Sequence, residues 1–326
     1  MSQLDSIPGN THQLLKMRLA SWRRTPIFYP LIGFIVVFIA MSTINDNFLT
    51  ISNQANLVRQ TSIIAIIAVG MSLAILTGGI DLSVGPVMAL SGTVMAGLMV
   101  AGVPPSLAIL LGVLVGAGFG AFNGFFVAFA GMPPIIVTLA TMGIARGLGL
   151  IYTGGYPISG LPPEFAFFGR GSLAGIETPI LIMISVYALG FLLLHHTATG
   201  RYLYAIGGNE EATRLSGIRV SRYKLLVYTL SGTTAAIAGL ILTSRLMSGQ
   251  PNAGIGFELD AIAAVVLGGA AITGGRGMIL GTLVGAMLLG VLNNGLNLMG
   301  VSPYLQNVIK GLIILLAIYI SRKRTP

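Results

Sequence analysis

Long uncharged apolar runs alternate along the chain with short polar stretches. After a polar start holding Lys16, Arg18, Arg23 and Arg24, charge-free runs cover 25–45, 60–80, 82–145, 178–194, 225–244, 261–275, 277–309 and 311–321. A helix crossing a hydrocarbon core of ~30 Å needs roughly 20 residues, so the run 82–145 has room for three crossings. Turn signals divide the longest runs: Gly102-Val103-Pro104-Pro105, Gly131-Met132-Pro133-Pro134, Gly274-Gly275-Arg276-Gly277 and Gly300-Val301-Ser302-Pro303. The pattern predicts an all-α membrane protein of about ten transmembrane helices, near 27–44, 61–77, 84–101, 106–130, 135–153, 179–195, 225–243, 258–273, 278–297 and 304–321. Residues 1–26 form a polar tail, and 27–326 a single polytopic domain.

An even number of crossings places both termini on one side. With both termini cytoplasmic, inside segments carry 13 Lys and Arg residues and outside segments carry 3, namely Arg59, Arg170 and Arg245. This split obeys the positive-inside rule. The net charge of +9 therefore reports orientation, and nucleic-acid binding is not expected. Arg146 and Lys310 fall within predicted spans, where snorkelling toward the interface is the expected behaviour. The first apolar run ends Met41-Ser42-Thr43-Ile44-Asn45-Asp46 without a small-residue cleavage pattern, and reads as a retained helix.

Composition narrows the class further. Charged residues make up 8% of the chain, where a soluble domain has roughly 25%. The mean hydropathy is +0.89. That apolar content excludes a soluble enzyme, a disordered chain and a secreted disulfide scaffold. There are 45 glycines, which suit close helix contact in a bilayer, and no cysteine, which removes disulfide and thiolate chemistry.

The two halves resemble each other. Leu111-Gly112-Val113-Leu114-Val115-Gly116-Ala117 parallels Leu280-Gly281-Thr282-Leu283-Val284-Gly285-Ala286, and Gly120-Ala121-Phe122-Asn123 parallels Gly290-Val291-Leu292-Asn293. Asp81-Leu82-Ser83 opens one helix as Glu258-Leu259-Asp260 opens another. The predicted crossings run oppositely in the two copies, so these are halves of inverted topology. Such repeats place a pathway at their interface; chance matching in Gly/Ala/Leu-rich text is the alternative.

Candidate chemistry is sparse. Asp81 and Ser83 follow Gly78-Gly79-Ile80 and precede a helix, where an acid or a hydroxyl can cap the helix or line a pathway. Glu258 and Asp260 carry the same two readings at the opposite face. Asn293 and Asn297 share a helix face, and Asn123 is the counterpart of Asn293; interhelical hydrogen bonds and pathway lining are both open. His195 and His196 are adjacent and do not converge as metal ligands. No metal-ligand cluster, Walker loop or catalytic set is present in the sequence.

The largest predicted cytoplasmic loop is 196–224. Asn209 is a good N-cap, Glu210 and Glu211 suit a first turn, and Gly217 suits a helix stop. The run Asn209-Glu210-Glu211-Ala212-Thr213-Arg214-Leu215-Ser216-Gly217 thus predicts a short helix outside the membrane, fit to dock a partner or to serve as a surface turn. The largest outer loop, 154–178, carries Tyr156, Phe165, Phe167 and Phe168, read as exposed aromatics at the interface or against an external partner.

With these residues in view, the chain resembles the permease subunits of bacterial ribose-type sugar ABC importers. The resemblance rests on Ala68-Val69-Gly70-Met71 through Gly79-Ile80-Asp81-Leu82-Ser83-Val84-Gly85, and on Gly200-Arg201-Tyr202 with Ala205-Ile206-Gly207-Gly208-Asn209-Glu210. It rests equally on Glu258-Leu259-Asp260-Ala261 through Leu267-Gly268-Gly269, and on Leu292-Asn293-Asn294-Gly295-Leu296-Asn297. It runs from about residue 45 to the C-terminus.

The resemblance implies a fold similar to that of vitamin B12-type importer permeases, in the bacterial inner membrane. It implies a homodimer or heterodimer of permeases and separate ATPase subunits, often a fused double cassette, that use ATP and Mg. A periplasmic sugar-binding protein delivers the substrate. Residues 209–217 would be the coupling helix, and the chain itself would bind no cofactor and hydrolyse nothing. Xylose, allose, galactose, galactofuranose and autoinducer-2 permeases share most of these blocks, so the sugar stays open. An ion-coupled secondary sugar transporter using Asp81, Glu258 or Asp260 is the rival class.

Overall fold

The computed structural model describes residues 27–322. The predicted tail 1–26, with Lys16, Arg18, Trp22, Arg23 and Arg24, lies outside the described residues, as do Lys323 and Arg324. The protein is an all-α membrane protein. Its helices are α1 (Phe28–Ile44), α2 (Ile51–Leu76), α3 (Val84–Val100), α4 (Pro105–Ala128) and α5 (Pro134–Thr153), then the single-turn α6 (Phe167–Arg170) and α7 (Thr178–His196). There follow α8 (Ala198–Gly208), α9 (Glu210–Leu215), α10 (Val220–Leu246), α11 (Phe257–Leu267), α12 (Ile279–Leu298) and α13 (Pro303–Arg322). Among the described residues, α2, α4, α5, α7, α10 and α12 are long and apolar enough to cross a membrane, and α1 and α3 are apolar but shorter.

Two helices form the centre. The stretch 61–76 of α2 is buried without a break, apolar on every side as a helix enclosed by protein must be. α10 packs beside it. Around them, α1, α4, α5, α7 and α13 turn large apolar residues outward, among them Val36, Leu114, Phe125, Ile136, Leu189 and Leu312. A surface of that kind is a lipid surface.

The packing repeats under exchange. α3 packs on α4, α5 and α10; α11 packs on α12, α13 and α2. α10 packs on α4 as α2 packs on α12. Replacing α2–α5 by α10–α13 maps these contacts onto one another. Glycines make the closest of them: a Cβ on Gly116 of α4 would meet Gly232 O of α10 at 2.5 Å, and one on Gly285 of α12 would overlap Ala264 O of α11.

Several helix bounds depart from the charge-free runs. α2 starts at Ile51 rather than near 61, because Arg59 is paired with Glu177 and stays within the helix. α10 starts at Val220 and ends at Leu246, beyond both predicted ends. Charge marks where a span meets water, whereas a helix stops only where its backbone bonds stop. α11 is shorter than the predicted 258–273: Gly268 and Gly269 end it, Gly269 in the left-handed region at φ +91°.

The loop 154–178 is folded. It holds a 3-10 turn (Pro163–Ala166), α6 and a hairpin of β1 (Ser172–Leu173) and β2 (Ile176–Glu177). Ala174 and Gly175 both take positive φ, as a two-residue hairpin turn requires. Phe165 is buried in a small core with Met95, Met99 and Leu240, contrary to its reading as an exposed aromatic, whereas Tyr156 and Phe167 are exposed. The molecule thus has a hairpin end and, opposite it, an α9 end.

Candidate translocation path and coupling elements

The first polar cluster lies where α2 turns into α3. Asp81, Ser83, Asn123 and Ser231 are all buried. Asp81 Oδ1 accepts from Ser83 N (3.0 Å) and Ser83 Oγ (2.6 Å), and Oδ2 accepts from Ser231 Oγ (2.7 Å). Asn123 Nδ2 donates to Ser83 Oγ at 2.9 Å. Asp81 therefore does not cap α3, as one sequence reading had it. The N-cap residue of α3 is Ser83, whose side chain makes no capping bond. The carboxylate instead folds back on its own turn and ties α3 and α4 to α10. Ser231 was not evident in the sequence, since one serine among many in α10 carries no spacing signal.

The second cluster surrounds the start of α11. Past Leu246 the chain does not turn straight back into a helix. Gly249 pairs with Ile158 in an antiparallel bridge (2.8 and 2.9 Å) and lies against Thr93 and Ala96 of α3. Gly254 lies against Gly85 and Met88 of the same helix. Between them the chain descends by eight residues of α3, or about 12 Å at 1.5 Å per residue. The segment 247–256 is thus irregular backbone running along α3, and α11 starts from its far end.

Irregular backbone at membrane depth needs protein partners. Arg146 Nη1 supplies them, donating to Pro251 O (2.6 Å) and Ala253 O (2.9 Å). Glu258 Oε1 accepts from Gly256 N at 3.2 Å, reaching back over the helix start. Asp260 is buried and accepts from Lys310 Nζ of α13 at 3.1 Å. Arg146 and Lys310 are therefore engaged inside the protein; the snorkelling expected from the sequence is corrected, because each donates to an acceptor in a neighbouring segment.

The asparagines of α12 stand apart from both clusters. Asn294, rather than Asn293 or Asn297, is the buried pairing residue: its amide exchanges two hydrogen bonds with Asn53 of α2 (2.8 and 2.9 Å). Asn297 accepts from Gln306 Nε2 at 2.8 Å and is exposed. Asn293 has a buried Oδ1 without a partner. The seven pathway candidates thus fall in three places: Asp81, Ser83 and Asn123; Glu258 and Asp260; Asn293 and Asn297.

At the α9 end, Asn209 Oδ1 accepts from Ala212 N at 2.9 Å, making the predicted N-cap of α9. Glu211 pairs with Arg214 on the exposed surface, and Glu210 with Lys224 at 2.7 Å. Gly217 ends the turn at φ +84°, and Leu215 is largely exposed. Just before α9 the chain is locked to the bundle. A Cβ on Gly207 would overlap Leu76 O and Gly275 N, and Gly275 N itself donates to Leu76 O at 3.0 Å. Gly274 lies against Gly78 and Gly207, and Tyr204 Oη donates to Gly277 O at 2.9 Å. Three segments, the end of α2, the end of α8 and the turn before α12, meet there through backbone. Three Gly-Gly pairs in the sequence, at 78–79, 207–208 and 274–275, were the signal for this junction. Among the described residues no group of acidic or histidine side chains could hold a metal ion.

Comparison with known proteins agrees with this architecture. Residues 53–318 match the family described as branched-chain amino acid transport system / permease component. The ribose import permease protein RbsC of Bacillus subtilis (strain 168) is 51% identical over 298 residues, covering 91% of this chain and 92% of that one. The RbsC protein of Escherichia coli (strain K12) is 49% identical, covering 90% and 93%. The D-allose transport system permease protein AlsC of Escherichia coli (strain K12) is 39% identical, covering 92% of each chain. No solved structure matches significantly. The chain belongs to this permease family and, within it, to the ribose-type sugar ABC permeases. It is a multi-pass protein of the inner, cytoplasmic membrane.

Proposed function

We propose that the chain is the translocation subunit of an ATP-driven importer of a ribose-like monosaccharide. The observation that carries this reading is the 51% identity to a ribose import permease across nine-tenths of both chains. The chain works as one of two permease subunits in the bacterial inner membrane. ATPase subunits, as a fused double cassette, bind at the α9 end, and a sugar-binding protein delivers at the hairpin end. ATP and Mg are used by the ATPase, with no cofactor on this chain. Ten spans in two inverted halves, with both termini on the α9 side, accord with the exchange-related packing. Residues 209–217 serve as the coupling helix, which accords with a capped, exposed α9 whose root is locked to the bundle at Gly207.

An importer needs no coupling ion, and two of the three candidate carboxylates fit that, Glu258 keeping one buried oxygen without a partner. Asp81 has both oxygens occupied, and Asp260 is paired with Lys310.

The test is co-purification and uptake. The tagged chain, solubilised mildly from its native membrane, should retain an ATP-binding-cassette protein, and Arg214→Glu should lose it while inserting normally. Proteoliposomes of the complex with the binding protein should take up labelled ribose with ATP and not with an ion gradient alone. A chain that purifies without an ATPase and transports on an ion gradient overturns the reading.

A further inference from the structure

The irregular segment before α11 exposes a polar side chain, Asn252, where its neighbours lie deep along α3. Asn252 and Ile255 are exposed, Ile255 at 71%, although neighbouring Gly254 lies against Gly85 and Met88, deep along α3. Leu259, one turn into α11, is also exposed. An exposed asparagine side chain at that depth is tolerated in a membrane where it faces water or protein. The segment can rest there because Arg146 of α5 holds two of its carbonyls. Its upper end is fixed by the Ile158–Gly249 bridge, and its lower end by the close approach of Gly254 to Gly85. Between those two anchors Ala253 N donates to Gln250 O at 3.1 Å, closing a turn with Pro251 and Asn252 at its tip.

We propose that segment 249–256 is the constriction of the sugar path, that the Asn252 side chain presents the donor and acceptor that sugar hydroxyls pass, and that Arg146 is the positioning residue that holds this segment at depth. The proposal rests on the permease reading above. The chemistry fits the substrate class: a sugar needs donors and acceptors to replace its water, and the exposed amide of Asn252 offers both. It also fits turnover, because a surface of weak neutral contacts lets the sugar leave again, whereas a charged site would retain it.

The chain has no cysteine, so a single introduced thiol reports its own position. The experiment uses the full complex with its ATPase and binding protein in proteoliposomes. Asn252→Cys is treated with a membrane-impermeant methanethiosulfonate reagent, at rest and after trapping with ATP and vanadate. Val36→Cys, on the outward face of α1, is the control. The expected result is that Asn252→Cys transports ribose several-fold more slowly than the parent, that modification abolishes the remaining uptake, and that its reaction rate changes between the two states. Val36→Cys keeps full uptake under the same reagent. Arg146→Ala is expected to remove the difference in rate between the states, with Arg146→Lys restoring part of it. Should Arg146→Ala fail to assemble, Asn252→Cys decides alone. ATP-driven uptake that is normal and indifferent to modification at Asn252→Cys overturns the constriction. Absence of ATP-driven ribose uptake in the unmutated complex overturns the permease reading and this inference with it.

Discussion

Lys310 and Asp260 form an ion pair between α13 and the first turn of α11, 3.1 Å from nitrogen to oxygen, with the carboxylate side chain 7% exposed. α13 has few other anchors, since α11 is its main packing partner. Removing one member strands a buried charge, which costs about 3 kcal/mol or more, whereas removing both costs much less. Lys310→Met should therefore lower the midpoint of SDS-induced unfolding markedly, and Asp260→Met/Lys310→Met should recover most of it. Equal loss in the single and double variants would show that the pair contributes no such coupling.

The Asp81 carboxylate accepts three hydrogen bonds through two oxygens. An amide at that position has one acceptor oxygen and turns an NH2 toward a donor. Asp81→Asn should therefore destabilise the protein by about 1.5–3 kcal/mol, the range for hydrogen bonds to a charged group. This is more than exchanging one helix cap for another. Ser231→Ala should cost roughly 1–3 kcal/mol for the donor lost to Oδ2. The double variant should fall short of the sum by about 1 kcal/mol or more, as expected for residues in one network. Additive losses in a double-mutant cycle would separate the two residues.

Gly207 and Gly208 are neighbours with opposite surroundings. A methyl on Gly207 runs into Leu76 O and Gly275 N, and one on Gly208 meets nothing within 4 Å. Gly207→Ala should cost about 1–3 kcal/mol by overpacking, and Gly208→Ala should stay within about 0.5 kcal/mol of the parent. Thermal unfolding of the purified subunit distinguishes them. If Gly207→Ala moves uptake far more than stability, the junction carries motion as well as strength.

α9 is six residues long and depends on its cap. Asn209→Ala removes the bond to Ala212 N and should loosen this helix by about 1 kcal/mol, whereas Asn209→Asp retains it. Hydrogen exchange of the peptide 209–217 should quicken in the first variant and hold in the second, with global stability unchanged in both.

Hydrophobic length and turn residues made the helical crossings readable in the sequence, because a bilayer demands a stretch of fixed length without charge. Asn209 and Gly217 were readable as helix ends for a local reason: cap and stop lie within a few residues of what they bond. The clusters were not readable. Ser231 reaches Asp81 across 150 residues, and Arg146 reaches Pro251 across 105. No local pattern records such pairings. The segment 247–256 falls between two predicted helices, as the structure has it, but its depth was not readable for a related reason: only its contacts with α3 reveal it.

Where Arg146 sits gives the order of synthesis a structural consequence. Backbone carbonyls entering a bilayer without a donor are strongly disfavoured, so the stretch around Pro251 and Ala253 can settle only beside a guanidinium already in place. Arg146 leaves the ribosome more than a hundred residues before them. The same holds for α3, whose Gly85 receives Gly254. The first half of the chain is thus a template for inserting the second, and a circular permutant that makes α11 before α5 would present an unsatisfied strand to the membrane with nothing there to receive it.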